Sequence, residues 1–134
     1  MATPENTFIA SIHRLLPPTL YRQKNHNAYR GGEPDVWYSG VAGDLWVEYK
    51  FTLLPRRPDT FVKIDLSELQ KNWLRCRHAE GRSVAVIAGC KEGGVYFSGV
   101  SWGRPYIAAE FRGLLVSRQN IAAIITGHCQ IPEK

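Results

Sequence analysis

Gly31-Gly32-Glu33-Pro34-Asp35-Val36-Trp37-Tyr38-Ser39-Gly40-Val41-Ala42-Gly43-Asp44-Leu45-Trp46-Val47-Glu48-Tyr49-Lys50-Phe51 is the stretch whose reading decides the fold. β-Branched and aromatic residues cluster on either side of a glycine-rich break, which predicts two short strands and a turn. Val36 to Ser39 form the first strand, Gly40 to Asp44 the turn, and Leu45 to Phe51 the second. Side chains alternate along a strand, so Glu48 and Lys50 share one face while Val47 and Tyr49 take the other. With the hairpin in register, Asp35 enters the first strand beside Glu48, which lies near the end of the second. Two carboxylates and an amine then converge, a set suited to a divalent cation and a water that it activates.

Composition bounds what such a site can serve. The chain has 134 residues, 44% apolar and 22% charged, which predicts one globular domain spanning 1–134. A net charge of +5 and a pI near 9.3 favour an acidic polymer as partner, nucleic acid first. No stretch approaches the length of a membrane span, and the first residues lack a signal pattern, so the expectation is an intracellular, cytoplasmic protein. Three cysteines with no framework spacing fit a reducing compartment. Neither Cys76 with His78 nor His128 with Cys129 has the spacing of a zinc finger or knuckle.

Working outward toward the N-terminus, Phe8, Ile9, Ile12, Leu15 and Leu16 recur at helical spacing, with Thr3 as N-cap, Pro4 as first helical residue and Pro17-Pro18 as the stop. Glu5 shares the buried edge of that helix. It reads either as a first-turn carboxylate favoured by the helix dipole or as a further acid of the site. Thr19 to Lys24 predicts a short strand. Asn25 to Arg30 reads as a polar turn, either a solvated loop or one in which His26, Tyr29 and Arg30 contact a phosphate or a base. Gly31 and Gly32 allow a tight turn or a close backbone approach to a ligand.

Toward the C-terminus, Thr52 to Lys63 carries Pro55 and Pro58 and so reads as a loop. Arg56, Arg57 and Lys63 make it a candidate nucleic-acid contact, with Phe61 as a stacking or wedging aromatic. Ser67 or Asp65 caps a helix ending near Ala79, whose apolar stripe is Leu66, Leu69, Trp73 and Leu74. Gln70 falls inside that stripe. A buried amide left unpaired costs about 1–3 kcal/mol, so Gln70 needs a partner: the site water, Lys50, a phosphate, or backbone. Ser83 to Gly89 is a continuous apolar run, the pattern of a central strand, and the helix before it predicts a parallel crossover from the Glu48 strand. Lys91 to Gly94 turns the chain into a further strand, Val95 to Val100. Trp102 to Ile107 reads as irregular. Ser117 to Thr126 predicts a last helix with Ile121, Ile124 and Ile125 inward, Gly127 as terminator, and a loose tail from Cys129.

Pro34-Asp35 followed by Glu48-Tyr49-Lys50, with the helix Leu66-Ser67-Glu68-Leu69-Gln70-Lys71-Asn72-Trp73-Leu74 behind it, resembles the signature of the PD-(D/E)XK nuclease superfamily. The likeness is to its resolvase-like and virus-type replication-repair members, and it covers roughly Glu5 to Gly99. It implies an α/β restriction-endonuclease-like core, a mixed sheet of four or five strands with helices on both faces. It also implies a Mg²⁺- or Mn²⁺-dependent endonuclease acting on DNA, selective for branched or junction structure. Asp35 and Glu48 would hold the metal together with the Tyr49 carbonyl. Lys50 would orient the water or steady developing charge, and Gln70 and Glu5 would complete the site. Relatives of this kind act as symmetric dimers, and apolar residues around Trp102 to Phe111 would make such an interface. The size suits a phage or mobile-element protein. The alternatives are a non-catalytic nucleic-acid-binding module with the same fold, and a nuclease acting on RNA.

Overall fold

A computed structural model of the chain describes residues 3–25 and 31–130. His26, Tyr29 and Arg30 therefore lie outside the described residues, as does the tail beyond 130. The elements in order are helix α1 (Pro4–His13), strands β1 (Tyr21–Lys24), β2 (Val36–Gly40) and β3 (Gly43–Phe51), helix α2 (Glu68–Ala79), strands β4 (Val84–Cys90) and β5 (Gly93–Ser98), and helices α3 (Ala108–Leu114) and α4 (Arg118–Cys129). The strands form one five-stranded sheet in the order β1-β2-β3-β4-β5. Only β3 and β4 pair in parallel, with Glu48 opposite Val86; the other pairs are antiparallel. This is the mixed α/β sheet that the sequence implies, with the crossover through α2 where it was expected.

Alternation along the strands sorts side chains to two cores. Val36, Tyr38, Leu45, Val47, Tyr49 and Ile87 face α1 and α4, meeting Phe8, Ile9, Ile12, Ile121 and Ile125. Val84, Val86, Ala88, Val95 and Phe97 face the other way, against Leu74 of α2 and Phe111 of α3. Every residue of β4 is buried, which explains its unbroken apolar run. Glu48 shares its face with the α2 side of the sheet.

Several expectations need correction. The first hairpin is tighter than read: only Val41 and Ala42 lie between Gly40 and Gly43, and Gly43 takes φ +148°, open chiefly to glycine. Leu69 is 60% exposed rather than inward. At about 100° per residue it stands about 100° from Gln70 and about 140° from the buried Leu74. Ile124, 38% exposed, fails for the same reason, since the buried face of α4 is centred on Ile121, Ala122, Ile125 and Cys129. Gly127 does not end α4. The helix continues to Cys129, whose side chain is buried and whose carbonyl accepts the Ala42 N–H at 2.9 Å. The region read as irregular is followed by α3, and Trp102, Tyr106 and Phe111 are all buried in the second core. The apolar surface expected there for a dimer is an interior, so that basis for a homodimer falls away.

Candidate active site

Four elements deliver the polar cluster. β2 begins at Val36, one residue after Asp35, and its pairing with β3 ends at Val36–Val47, leaving Glu48, Tyr49 and Lys50 beyond the ladder's end. Asp35 fills the missing rung. Its N–H donates to Glu48 Oε1 at 3.1 Å, and its Oδ2 accepts the Tyr49 N–H at 2.9 Å. The N–H groups of Trp46 and Thr52 point to β4, so alternation sends the N–H and C=O of Tyr49 to the opposite edge, toward Asp35. The Tyr49 side chain lies on the far face, its hydroxyl 2.6 Å from that of Tyr38.

Glu48 is almost wholly buried, and its second oxygen is equally engaged. Gln70 donates from Nε2 to Glu48 Oε2 at 2.9 Å, and Lys50 Nζ lies 3.5 Å from the same oxygen. Gln70 also accepts the Ser67 N–H at 2.9 Å while Ser67 Oγ caps the Gln70 N–H, a reciprocal capping box that fixes the amide's orientation. Of the partners expected for Gln70, the backbone is present, while water, Lys50 and phosphate give way to one not expected. The site partner is the carboxylate of Glu48 itself.

Glu5 arrives from α1. On that helix it falls in the middle of the stripe made by Phe8, Ile9 and Ile12, which turns its side chain inward. Carboxylate oxygens of Glu5, Asp35 and Glu48 all lie within 4.8 Å of one another. Glu5 Oε1 is buried with no hydrogen-bond partner. An all-oxygen donor set with an orphaned buried carboxylate oxygen fits a hard divalent cation. A cavity of about 450 Å³ opens beside it, lined by Glu5, Lys50, Leu53 and Asp65 among others.

The electrostatics record how crowded these charges are. Burial, then the charge of Asp35, push Glu48 up to about 8, against the pull of Lys50. Burial raises Asp35 despite the Tyr49 N–H and Lys50. Burial and Asp35 likewise raise Glu5. A carboxyl with a raised folded-state pKa holds its proton more tightly in the folded protein than in the unfolded chain. Its stabilising contribution is complete below the ordinary 4.5 and is lost as pH rises through about 8. The melting temperature of protein kept in EDTA is therefore expected to fall from about pH 5.5 to about pH 8.5, and Mn²⁺ to raise it more at the higher pH. Calorimetric scans showing no such slope would remove the charge crowding.

The other sequence candidates lie elsewhere. Arg56, Arg57 and Lys63 are exposed on the loop after β3 and do not join the carboxylate cluster. That loop is tied to the α3 region, where the N–H groups of Ala108 and Ala109 donate to Thr60 and Pro58 carbonyls, and Arg112 donates to the Pro55 carbonyl at 2.8 Å. Gly32 serves a close approach, but to the protein's own backbone: a Cβ there (φ +84°) would stand 2.1 Å from the Leu69 carbonyl oxygen, whereas one on Gly31 would meet only the Leu69 side chain at 4.0 Å. Asn25 went unnoticed. Its N–H donates to the Asp35 carbonyl at 2.7 Å and its amide to the Pro34 carbonyl at 2.9 Å, holding the Pro34-Asp35 segment against the end of β1. An Asn closing a predicted strand was the available signal.

No protein-family model matches this sequence, and no curated protein does. Among solved structures, the chain is similar to Hjc, a Holliday junction resolvase from the archaeal hyperthermophile Archaeoglobus fulgidus. The TM-score is 0.55 at 13% identity, over 88% of this chain and 99% of that one. At that identity the likeness is one of fold, and this chain's five-stranded mixed sheet between helices is restriction-endonuclease-like.

Proposed function

We propose that this chain is a Mg²⁺- or Mn²⁺-dependent endonuclease that hydrolyses phosphodiester bonds in DNA and prefers branched or junction substrates. One observation carries the reading: Asp35 and Glu48 converge with Glu5 within 4.8 Å, and Lys50 stands 3.5 Å from Glu48. Asp35 and Glu48 would hold the cation, with the Tyr49 carbonyl on the same edge and Glu5 as a further acid. When bound, the ion would lower the pKa of water and offset charge on a scissile phosphate. Lys50 reaches toward Glu48, where it limits repulsion among the acids and can meet negative charge that builds during attack. Gln70 holds the same Glu48 oxygen while the Asp35 N–H holds the other, so the carboxylate is oriented before substrate arrives. The net charge of +5 suits an anionic polymer. Preference for branched DNA leans on the fold shared with a Holliday junction resolvase.

The test is cleavage of linear, flapped and four-way DNA with Mg²⁺ and with EDTA, with single-stranded RNA alongside. Cutting that needs the metal and favours the branched forms is expected. Lys50→Ala should cut about 10²–10³-fold more slowly under conditions where it stays folded, with a lower melting temperature in EDTA because the cation that offsets the acids is gone. Asp35→Ala should still bind DNA without cutting it. Equal rates for Lys50→Ala and wild type would sink the catalytic reading and leave a binding module. The size of the species in solution, read by light scattering with and without a four-way junction, decides whether two copies act together.

A further inference from the structure

A second cavity, of about 210 Å³, lies on the other side of α2 from the carboxylates. Gln70 and Lys71 are neighbours separated by about 100° around the helix, and while Gln70 holds Glu48, Lys71 lines this cavity. Arg75, one turn further on, lines it too, as does Arg104 from the segment before α3. Lys63 is exposed between Val62 and Ile64, both of which contribute to the wall.

These cations are held rather than free. The Arg75 guanidinium lies over the Trp102 ring, 5.2 Å from its centroid, and that of Arg104 over Tyr106 at 3.8 Å. The rings are themselves fixed, since Trp102 donates from Nε1 to the Gly99 carbonyl and Tyr106 from its hydroxyl to the Ser101 carbonyl. Arg104 pairs with Glu110 at 3.1 Å and Lys71 with Glu68 at 3.5 Å, but neither carboxylate belongs to the lining. Among the described residues no carboxylate pairs with Arg75. A pocket walled by three cations, with room for a phosphate group and some water, is built for an oxyanion.

We infer that this cavity is a second phosphate seat, which takes a backbone phosphate of the nucleic-acid strand running past the carboxylate cluster; the inference rests on the nuclease reading above. A base or free nucleoside fits less well, because Trp102 and Tyr106 are each only 6% exposed and guanidinium groups cover their faces.

The experiment measures the salt dependence of binding to a four-way junction and a linear duplex, in EDTA so that nothing is cut. Lys71→Gln should make the slope of log K against log salt measurably shallower, and Lys71→Gln with Arg75→Gln by about one unit in all, the loss for one phosphate no longer neutralised. The melting temperature of Lys71→Gln should stay at the wild-type value, so the single variant reports even if the double one folds poorly. An unchanged slope in Lys71→Gln overturns the seat while leaving the nuclease reading to its own cleavage test. Wild-type protein that neither binds nor cuts DNA overturns both. As a direct check, inorganic pyrophosphate should shift the Trp102 indole N–H signal in wild type and not in the double variant.

Discussion

Asp35→Asn is expected to end hydrolysis while making the metal-free protein more heat-stable at alkaline pH. The amide is close to the carboxylate in shape. Its oxygen can accept the Tyr49 N–H that Asp35 Oδ2 now accepts at 2.9 Å, and its NH₂ can donate toward Glu48. What disappears is a negative charge that helps push Glu48 up to about 8 and also raises Glu5. Above that pH the wild-type cluster holds several carboxylates in a partly dry site, and the variant holds one fewer. The melting temperature in EDTA at about pH 8.5 should rise by at least about 3 °C, and by less at about pH 5.5, where Glu48 still holds its proton. The same charge is a ligand in the proposed site, so losing it removes several kcal/mol of cation-derived stabilisation. Cutting should fall by about 10³-fold or more. Opposite signs for stability and activity separate a functional carboxylate from a structural one. A variant less stable than wild type at both pH values would mean that Asp35 serves the fold and nothing else.

Gly32→Ala carries the second large effect, on stability first and activity after it. A left-handed backbone at a residue with a Cβ costs about 1–2 kcal/mol. The contact is worse, because the new methyl would stand 2.1 Å from the Leu69 carbonyl oxygen and 2.7 Å from the Gln70 nitrogen. Backbone of a helix yields little, so overpacking adds about 1–3 kcal/mol. Together these are a large part of the stability of a small domain, about 5–15 kcal/mol. The loop must move off α2, which separates the segment carrying Asp35 from the helix carrying Gln70. A shift near 1 Å at a reacting centre costs about 10²-fold in rate. Urea titration and cleavage kinetics measure the two losses. Gly103→Ala is the control, since a Cβ there meets nothing and φ is ordinary. If Gly32→Ala unfolds at the same urea concentration as wild type, the loop is not seated on α2.

The sequence made the site more legible than the surfaces around it. Asp35, Glu48 and Lys50 could be brought together because strand alternation and a short hairpin leave few choices of register. Glu5 was only half legible, since a carboxylate beside an apolar helical stripe in the first turn serves the helix dipole as well as it serves a site. Leu69 and Ile124 misled for one shared reason. Each stands three residues after an inward residue, on the flank of its stripe, and hydrophobic identity cannot say which flank a neighbouring layer covers. The end of α4 was hidden because Gly127 is a good stop signal in isolation. What overrides it is a tertiary contact, the Cys129 carbonyl accepting the Ala42 N–H against Gly40, where a Cβ would come within 2.2 Å of that oxygen. The cationic cavity was hidden as well, because Lys71, Arg75 and Arg104 come from separate elements and carry no common spacing.

The opening of α1 has a practical side. Thr3 caps the helix by accepting the Asn6 N–H, and Glu5 is its second residue. Any purification handle joined upstream is thereby delivered to the rim of the carboxylate cluster. A polyhistidine leader would bring imidazoles within reach of whatever cation is added, masking weak occupancy or mimicking it. Handles belong at the other terminus, and protein prepared with an upstream fusion should be cleaved before any titration of metal or DNA.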